Sequence, residues 1–337
     1  VMGRRIGLLL GAAALLVLAV AASLAIGARP IPLGDVLSAL FHPDGSETAV
    51  IVHDLRIPRT VVGLAVGPAL AVAGLVMQAL TRNPLAEPRI LGISAGASTG
   101  VVLAIAVFGI GTLAGWIWFA LLGALAAGAI VFTLGLRLGT GASSPITLAL
   151  TGAAVDACLG AVIYTLLSTS TRTFDQFRFW AVGSLSGRGL DLVVQAAPIL
   201  LLGLVSAIAA ARGLDGLALG DEVAVGLGHR IALVRTSAAI AAVTLTGAAV
   251  ALAGPIAFVG LAVPHAARAL SARLKTGTSH ALLLPLSALM GGVLVLVADT
   301  VGRVIAPPGE VPAGVLTALV GAPLLIALTR RNRLVAA

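Results

Sequence analysis

Three sets of polar residues stand out in an otherwise apolar chain, and each points to a different chemistry. The first is Gly92-Ile93-Ser94-Ala95-Gly96, which has the form G-x-S-x-G. A serine on a tight turn is a hydrolase nucleophile when a histidine serves as base, and here that base would be His265 or His280. The strand–turn–helix setting of such enzymes is absent, which leaves only a helical, intramembrane serine-protease version. The second set is Asp156 and Asp299, acids inside or at the edge of apolar runs. A carboxylate in lipid is costly, so these face protein or water, and in an ion-coupled secondary transporter they would carry the proton or ion. Arg303 lies four residues beyond Asp299, within pairing distance on a helix. Asp156 either lines a pathway or hydrogen-bonds a neighbouring helix. The third set is Arg56, Arg59 and Arg303, at helix mouths. A guanidinium grips a carboxylate through two parallel hydrogen bonds, as docking of an acidic protein would require. Snorkelling to the interface is the plainer use.

Other chemistries are missing. A phosphate-binding loop needs a Gly-rich turn followed by Lys, and the one lysine, Lys275, follows Leu274. ATP and its magnesium therefore belong to a partner, and no cofactor is expected in this chain. No His, Cys and carboxylate cluster has metal-site spacing, so a bare ferric ion is not the expected cargo, and a chelate touched through its organic shell fits better. The single cysteine, Cys158, sits in an apolar run and builds neither a disulfide framework nor a metal site.

The elements that must position these residues follow from composition. Of 337 residues, 59% are hydrophobic and 10% charged, with mean hydropathy +1.12. Soluble domains carry ~25% charged residues, so lipid is the solvent here. Forty-one glycines suit closely packed membrane helices. The reading is one polytopic all-α domain over residues 1–337, with about ten spans near 6–27, 61–80, 91–109, 113–136, 146–167, 192–211, 231–252, 255–271, 281–299 and 312–329. The first run is longer than a signal-peptide core and reads as a retained span. The net charge of +8 does not imply nucleic-acid binding, because the basic residues cluster at the ends of apolar runs. With both termini in the cytoplasm, fourteen basic residues lie inside and seven outside, the expected bias.

Between the sixth and seventh spans lies the cytoplasmic stretch 214–228, LDGLALGDEVAVGLG. Asp215 is expected to cap one short helix, and Asp221 with Glu222 another, with Gly220 as hinge. Leu217, Leu219, Val223, Val225 and Leu227, ending at Gly228, would form an apolar knob for a soluble partner, in place of an ordinary loop. Thr81 to Ala97 contains Arg82-Asn83-Pro84 and Pro88, which break the helix. Asp175 to Arg188 places Phe177, Phe179 and Trp180 in a polar setting, as an interfacial helix with a possible gate role for Trp180. Pro264-His265 marks an irregularity near the inner face, and His265 with Arg268 would meet one partner or simply pack. AVAGLVMQAL at 71–80 resembles ALAGPIAFVGL at 251–261, and an offset of five spans makes any repeat inverted.

Taken together, the segments LRIPRTVVGLAVGPALAVAGLVMQALTRNPLAEPRILGISAGAS, RFWAVGSLSGR, LALGDEVAVGLG, GPIAFVGLAVPHAARAL and VPAGVLTALVGAPLLIALTRR resemble the FecCD family. Its members are permease subunits of binding-protein-dependent ABC importers for iron–siderophores, haem and cobalamin. The resemblance covers nearly the whole chain in order, and leans to ferric-siderophore members of the catecholate type. It implies an inverted-repeat type II importer fold of ten spans, a second permease subunit, two ATP-binding subunits and an extracytoplasmic substrate-binding protein. It also implies that 214–228 is the coupling loop in an ATPase groove, and that Arg56, Arg59 and Arg303 dock glutamates of the binding protein. Pro307-Pro308-Gly309 departs from the cobalamin-type pattern at the outer rim.

Overall fold

A computed structural model describes residues 2–42, 45–138 and 145–335, and every regular element among them is helical. In order they are α1 (Met2–Ala25), α2 (Leu33–Phe41), α3 (Glu47–Val50), a π-helical turn (Ile51–Arg56), α4 (Ile57–Leu80), a 3-10 turn (Pro88–Leu91), α5 (Ile93–Ala106), α6 (Leu113–Leu138), α7 (Pro145–Ser168), α8 (Thr171–Ala181), α9 (Leu190–Leu217), α10 (Asp221–Gly226), α11 (Ile231–Ala253), α12 (Val259–Arg273), α13 (His280–Ile305) and α14 (Ala313–Val335). The ten expected spans all fall on helices: α1, α4, α5, α6, α7, α9, α11, α12, α13 and α14. Seven of the described helices are long and apolar enough to cross a bilayer alone.

Helix α4 is the hub and packs on α9, α11, α12 and α13. Small residues make this possible, since helices without side chains at the crossing bring their backbones into contact. A β-carbon on Gly74 would lie 1.9 Å from the Gly260 carbonyl oxygen, and one on Gly67 would lie 2.4 Å from that of Gly291. Gly96 and Gly123 join α5 to α6 in the same way.

Several boundaries differ from expectation. The second span does not begin at 61; helix runs unbroken from Glu47 to Leu80, and the π-helical turn Ile51–Arg56, where the Ile57 N–H reaches back to the Val52 carbonyl, shifts the hydrogen-bond register just ahead of Pro58, which has no N–H to give. The third and eighth spans are short. The 15 residues of α12 rise ~22 Å, less than a ~30 Å hydrocarbon core. Both short helices start from a left-handed residue, Gly92 at φ 69° and Phe258 at φ 67°. The two breaks meet where the Phe258 N–H donates to Glu87 Oε1 at 2.7 Å. Paired short helices after paired long ones, α4–α5 and α11–α12, are what the inverted repeat requires.

Candidate functional site

At one end of the bundle, charges that lipid would not tolerate are enclosed in protein. Arg59 grips Asp299 with two groups: Nη2 donates to Oδ1 at 2.8 Å, and Nε lies 2.9 Å from Oδ2. Arg303 reaches the same carboxylate from one turn along α13, with Nε 3.0 Å from Oδ2. This is the i, i+4 pairing expected from sequence. Asp299 is 0% exposed. The fourth member is Glu310, whose Oε2 accepts from Arg59 Nη1 at 2.7 Å and whose side chain remains 36% exposed. Two cations and two anions thus balance, as burial of charge demands.

Arg303, together with Arg56, also finishes α1. The last carbonyls of a helix have no partner within it, and cationic side chains suit them. Arg303 Nη1 donates to the Ser23 carbonyl at 2.7 Å, and its Nη2 to Ser23 Oγ at 3.1 Å. Arg56 Nη1 donates to the Leu24 carbonyl at 2.5 Å, and its Nη2 to the Arg29 carbonyl. Arg56, Arg59 and Arg303 are all buried, engaged within the chain and gathered at the ends of α1, α4 and α13. Sequence reasoning missed Glu310 and Ser23. The signal for Glu310 is a lone acid in the turn 306–312, APPGEVP, next to an arginine-rich rim.

At the other end lies the stretch 214–228. Residues 214–217 belong to α9, so Leu217 is a core residue, 3% exposed, and does not form part of the knob. Asp215 does not cap a helix within the stretch. It lies in the last turn of α9 and caps α13, accepting from the His280 N–H at 2.9 Å and pairing with His280 Nδ1 at 2.6 Å. One short helix, α10, remains, reached through Gly220 at φ 110° and left through Gly228 at φ 84°. Ala224 anchors it, while Leu219 is 65% exposed, and Val223, Val225 and Leu227 are also exposed. Asp221 fixes its orientation: one oxygen takes Arg82 Nη2 and the other takes Arg235 Nη2 at 2.8 Å. Glu222 is exposed.

Arg82, at φ 50°, brings the α4–α5 loop to the same place. Asn83 Oδ1 accepts from the Leu85 N–H at 2.9 Å, a turn that spans Pro84. Pro264 lies inside a continuous α12 and makes no break. His265 and Arg268 do not meet one partner. His265 Nδ1 bonds the Leu261 carbonyl at 3.1 Å, whereas Arg268 donates to Gln78 Oε1, and Gln78 Nε2 in turn donates to the Gly260 carbonyl at 3.0 Å. Both histidines are thus engaged away from Ser94, which is buried at the start of α5. Asp299 is held by two arginines. In the α4–α5 loop, burial pushes the Glu87 carboxyl above its usual range, against the Phe258 hydrogen bond and Arg89.

Of the two residues expected at a path or gate, one is buried and the other exposed. Trp180 is buried at the end of α8 against Phe177, with ring centroids 5.9 Å apart. The α8 end is pinned by Ser184 N–H to the Ala253 carbonyl at 2.8 Å and by Gly314 N–H to the Gly183 carbonyl at 2.9 Å. Phe179 alone of the three aromatics is exposed, so α8 is half interfacial and half core. Asp156 lies midway along α7 on an exposed face, with no hydrogen bond among the described residues.

A multi-span, all-helical bundle with charges sealed at one end and a short helix with exposed apolar side chains at the other is the architecture of a transporter's transmembrane subunit. The family model described as the FecCD transport family matches residues 15–331, and the chain belongs to that family. It is 43% identical over 319 residues to the ferric enterobactin transport system permease protein of Escherichia coli (strain K12), covering 94% of this chain and 93% of that one. It is 40% identical over 311 residues to the Fe(3+)-citrate import system permease protein of Bacillus subtilis (strain 168), covering 92% and 90%. It is also 40% identical over 285 residues to the cobalamin import system permease protein of Halobacterium salinarum, covering 84% and 74%. A solved structure described as an inward-facing metal-chelate type ABC transporter superposes with TM-score 0.81 at 29% identity, covering 97% of this chain and 99% of that one. The chain is an ABC-importer permease, a transport subunit rather than an enzyme.

Proposed function

We propose that this chain is one of two permease subunits that carry a ferric siderophore of the catecholate type across the cytoplasmic membrane, with both termini inside. Two separate ATP-binding subunits supply the power, and an extracytoplasmic binding protein delivers the cargo. The observation that carries this reading is the exposed apolar surface of α10 and the turns flanking it, Leu219, Val223, Val225 and Leu227, held in place through Asp221. Such a surface on a short, fixed helix is a handle for a soluble partner. The 43% identity to the ferric enterobactin permease supports the cargo class. Asp156 supports the paired arrangement, since a carboxylate halfway along a membrane helix does not face hydrocarbon. The α7 face that bears it turns to the path between two permease subunits, identical or different. At the opposite end, the binding protein's carboxylates reach Arg59 by taking the place of Glu310, the exposed member of the buried network.

Reconstitution with the ATPase and the binding protein tests this. Vesicles should accumulate a ferric catecholate only with ATP inside the ATPase compartment, and preferentially over ferric citrate or a hydroxamate. Preference for cobalamin or haem would move the cargo, and uptake driven by a proton gradient alone would refute the importer reading.

A further inference from the structure

A groove between α6 and α11 has a use that transport alone does not require. Gly128 lets the two helices close, since a β-carbon there would lie 2.6 Å from Val243 Cγ1. Alongside this contact, toward the α10 end, runs an apolar groove of about 830 Å3 lined by Leu125, Phe132 and Ile240. Its polar residues are Thr133, Thr236, Thr244 and Arg235. Arg235 lies in the second turn of α11, and Asp221 is its one partner among the described residues. A guanidinium has five N–H donors, so most of those on Arg235 remain available. Ile240, Thr236 and Thr133 are exposed, which leaves the groove open to the medium around the helices.

We propose that this groove binds an anionic phospholipid, with an acyl chain along Leu125, Phe132 and Ile240 and the phosphate on Arg235. In a membrane protein the medium beside an apolar groove is acyl chain, and a cation at its mouth selects the headgroup. Choline or ethanolamine headgroups carry a cation of their own and gain less. Because Asp221 and the lipid phosphate share Arg235, the lipid biases how firmly α10 is held. The site is independent of the cargo and of which ATPase docks.

The test uses the full chain in detergent, titrated with phosphatidylglycerol or phosphatidylcholine, with bound lipid read by native mass spectrometry. Wild type should retain phosphatidylglycerol roughly fivefold better, the contribution of one basic residue near a membrane surface. Arg235→Gln should abolish the preference and leave phosphatidylcholine retention unchanged, and Arg235→Lys should restore most of it. Thr236→Trp on the exposed rim keeps the charge but blocks the groove, and should lose phosphatidylglycerol as well. Equal retention of the two lipids by wild type would overturn the proposal. So would a preference that survives Arg235→Gln, normal binding by Thr236→Trp, or displacement of the lipid by inorganic phosphate, which would mean that the groove contributes nothing.

Discussion

Asp299 takes two guanidinium groups at once in a site closed to water, so its neighbours depend on its charge. Asp299→Asn leaves Arg59 and Arg303 facing each other with only Glu310 between them and solvent. Removing one partner of a buried ion pair costs ~3–5 kcal/mol, and the expected outcome is a clear drop in the thermal midpoint in detergent. Glu310→Gln should act differently. It is the exposed member, so stability should change little, while a docking carboxylate meets no competitor and the binding protein should bind more tightly in pull-down. Glu87 sets a pH dependence. Burial raises its pKa above the ordinary 4.5, so the folded state binds the proton more tightly than the unfolded state. The stability it contributes is fully present below 4.5 and is lost as pH rises through the raised value. Glu87→Gln should flatten that part of the stability–pH curve, and an unchanged slope would count against it. The Asp299–Arg303 pair was legible because it is local, four residues on one helix. Its partners Arg59, Glu310 and Ser23 were not, because only packing of α1, α4 and α13 brings them together.

At the scale of the element, α10 owes its placement to Gly220 and Asp221. Leu219→Glu or Val225→Glu puts a charge on the exposed apolar face, and should abolish co-purification of the ATPase subunits while the thermal midpoint stays within a degree or two. Retained co-purification with normal uptake would remove α10 as the handle. Helix contacts predict another outcome: Gly74→Ala places a β-carbon 1.9 Å from the Gly260 carbonyl oxygen. With no far end of a side chain to yield, α4 and α12 must move apart. Overpacking of this kind costs ~1–3 kcal/mol, measurable as lost expression and a lowered midpoint. The apolar runs showed which helices exist, but their ends were less legible. Helix α9 runs on to Leu217 because Leu214 and Leu217 are buried by neighbouring helices, and that is a tertiary fact. Asp215 looked like a local cap for the same reason, although its partner lies 65 residues away at His280.

At the scale of the molecule, the chain separates two tasks between its ends. One end encloses Arg59, Asp299 and Arg303, and the other presents α10, latched to the α4–α5 loop through Arg82 and to α11 through Arg235. Helix α11 runs from just beyond α10 to the point where Ala253 holds the loop after α8. In the importer proposed above, a push on α10 would pass along α11. The FecCD resemblance was legible over nearly the whole chain because its motifs sit at these junctions. The cargo was not, because no described residue binds a chelate through a recognisable ligand set. In the proposed importer this chain moves cargo only when a separate ATPase grips α10. The most direct measurement is ATP-dependent uptake of a ferric catecholate by vesicles containing the assembled transporter, with wild-type chain or Val225→Glu. Wild type should take up the chelate and the variant should not, although the variant inserts and folds normally. Uptake by the permease chains alone, or undiminished uptake by Val225→Glu, would contradict the proposal.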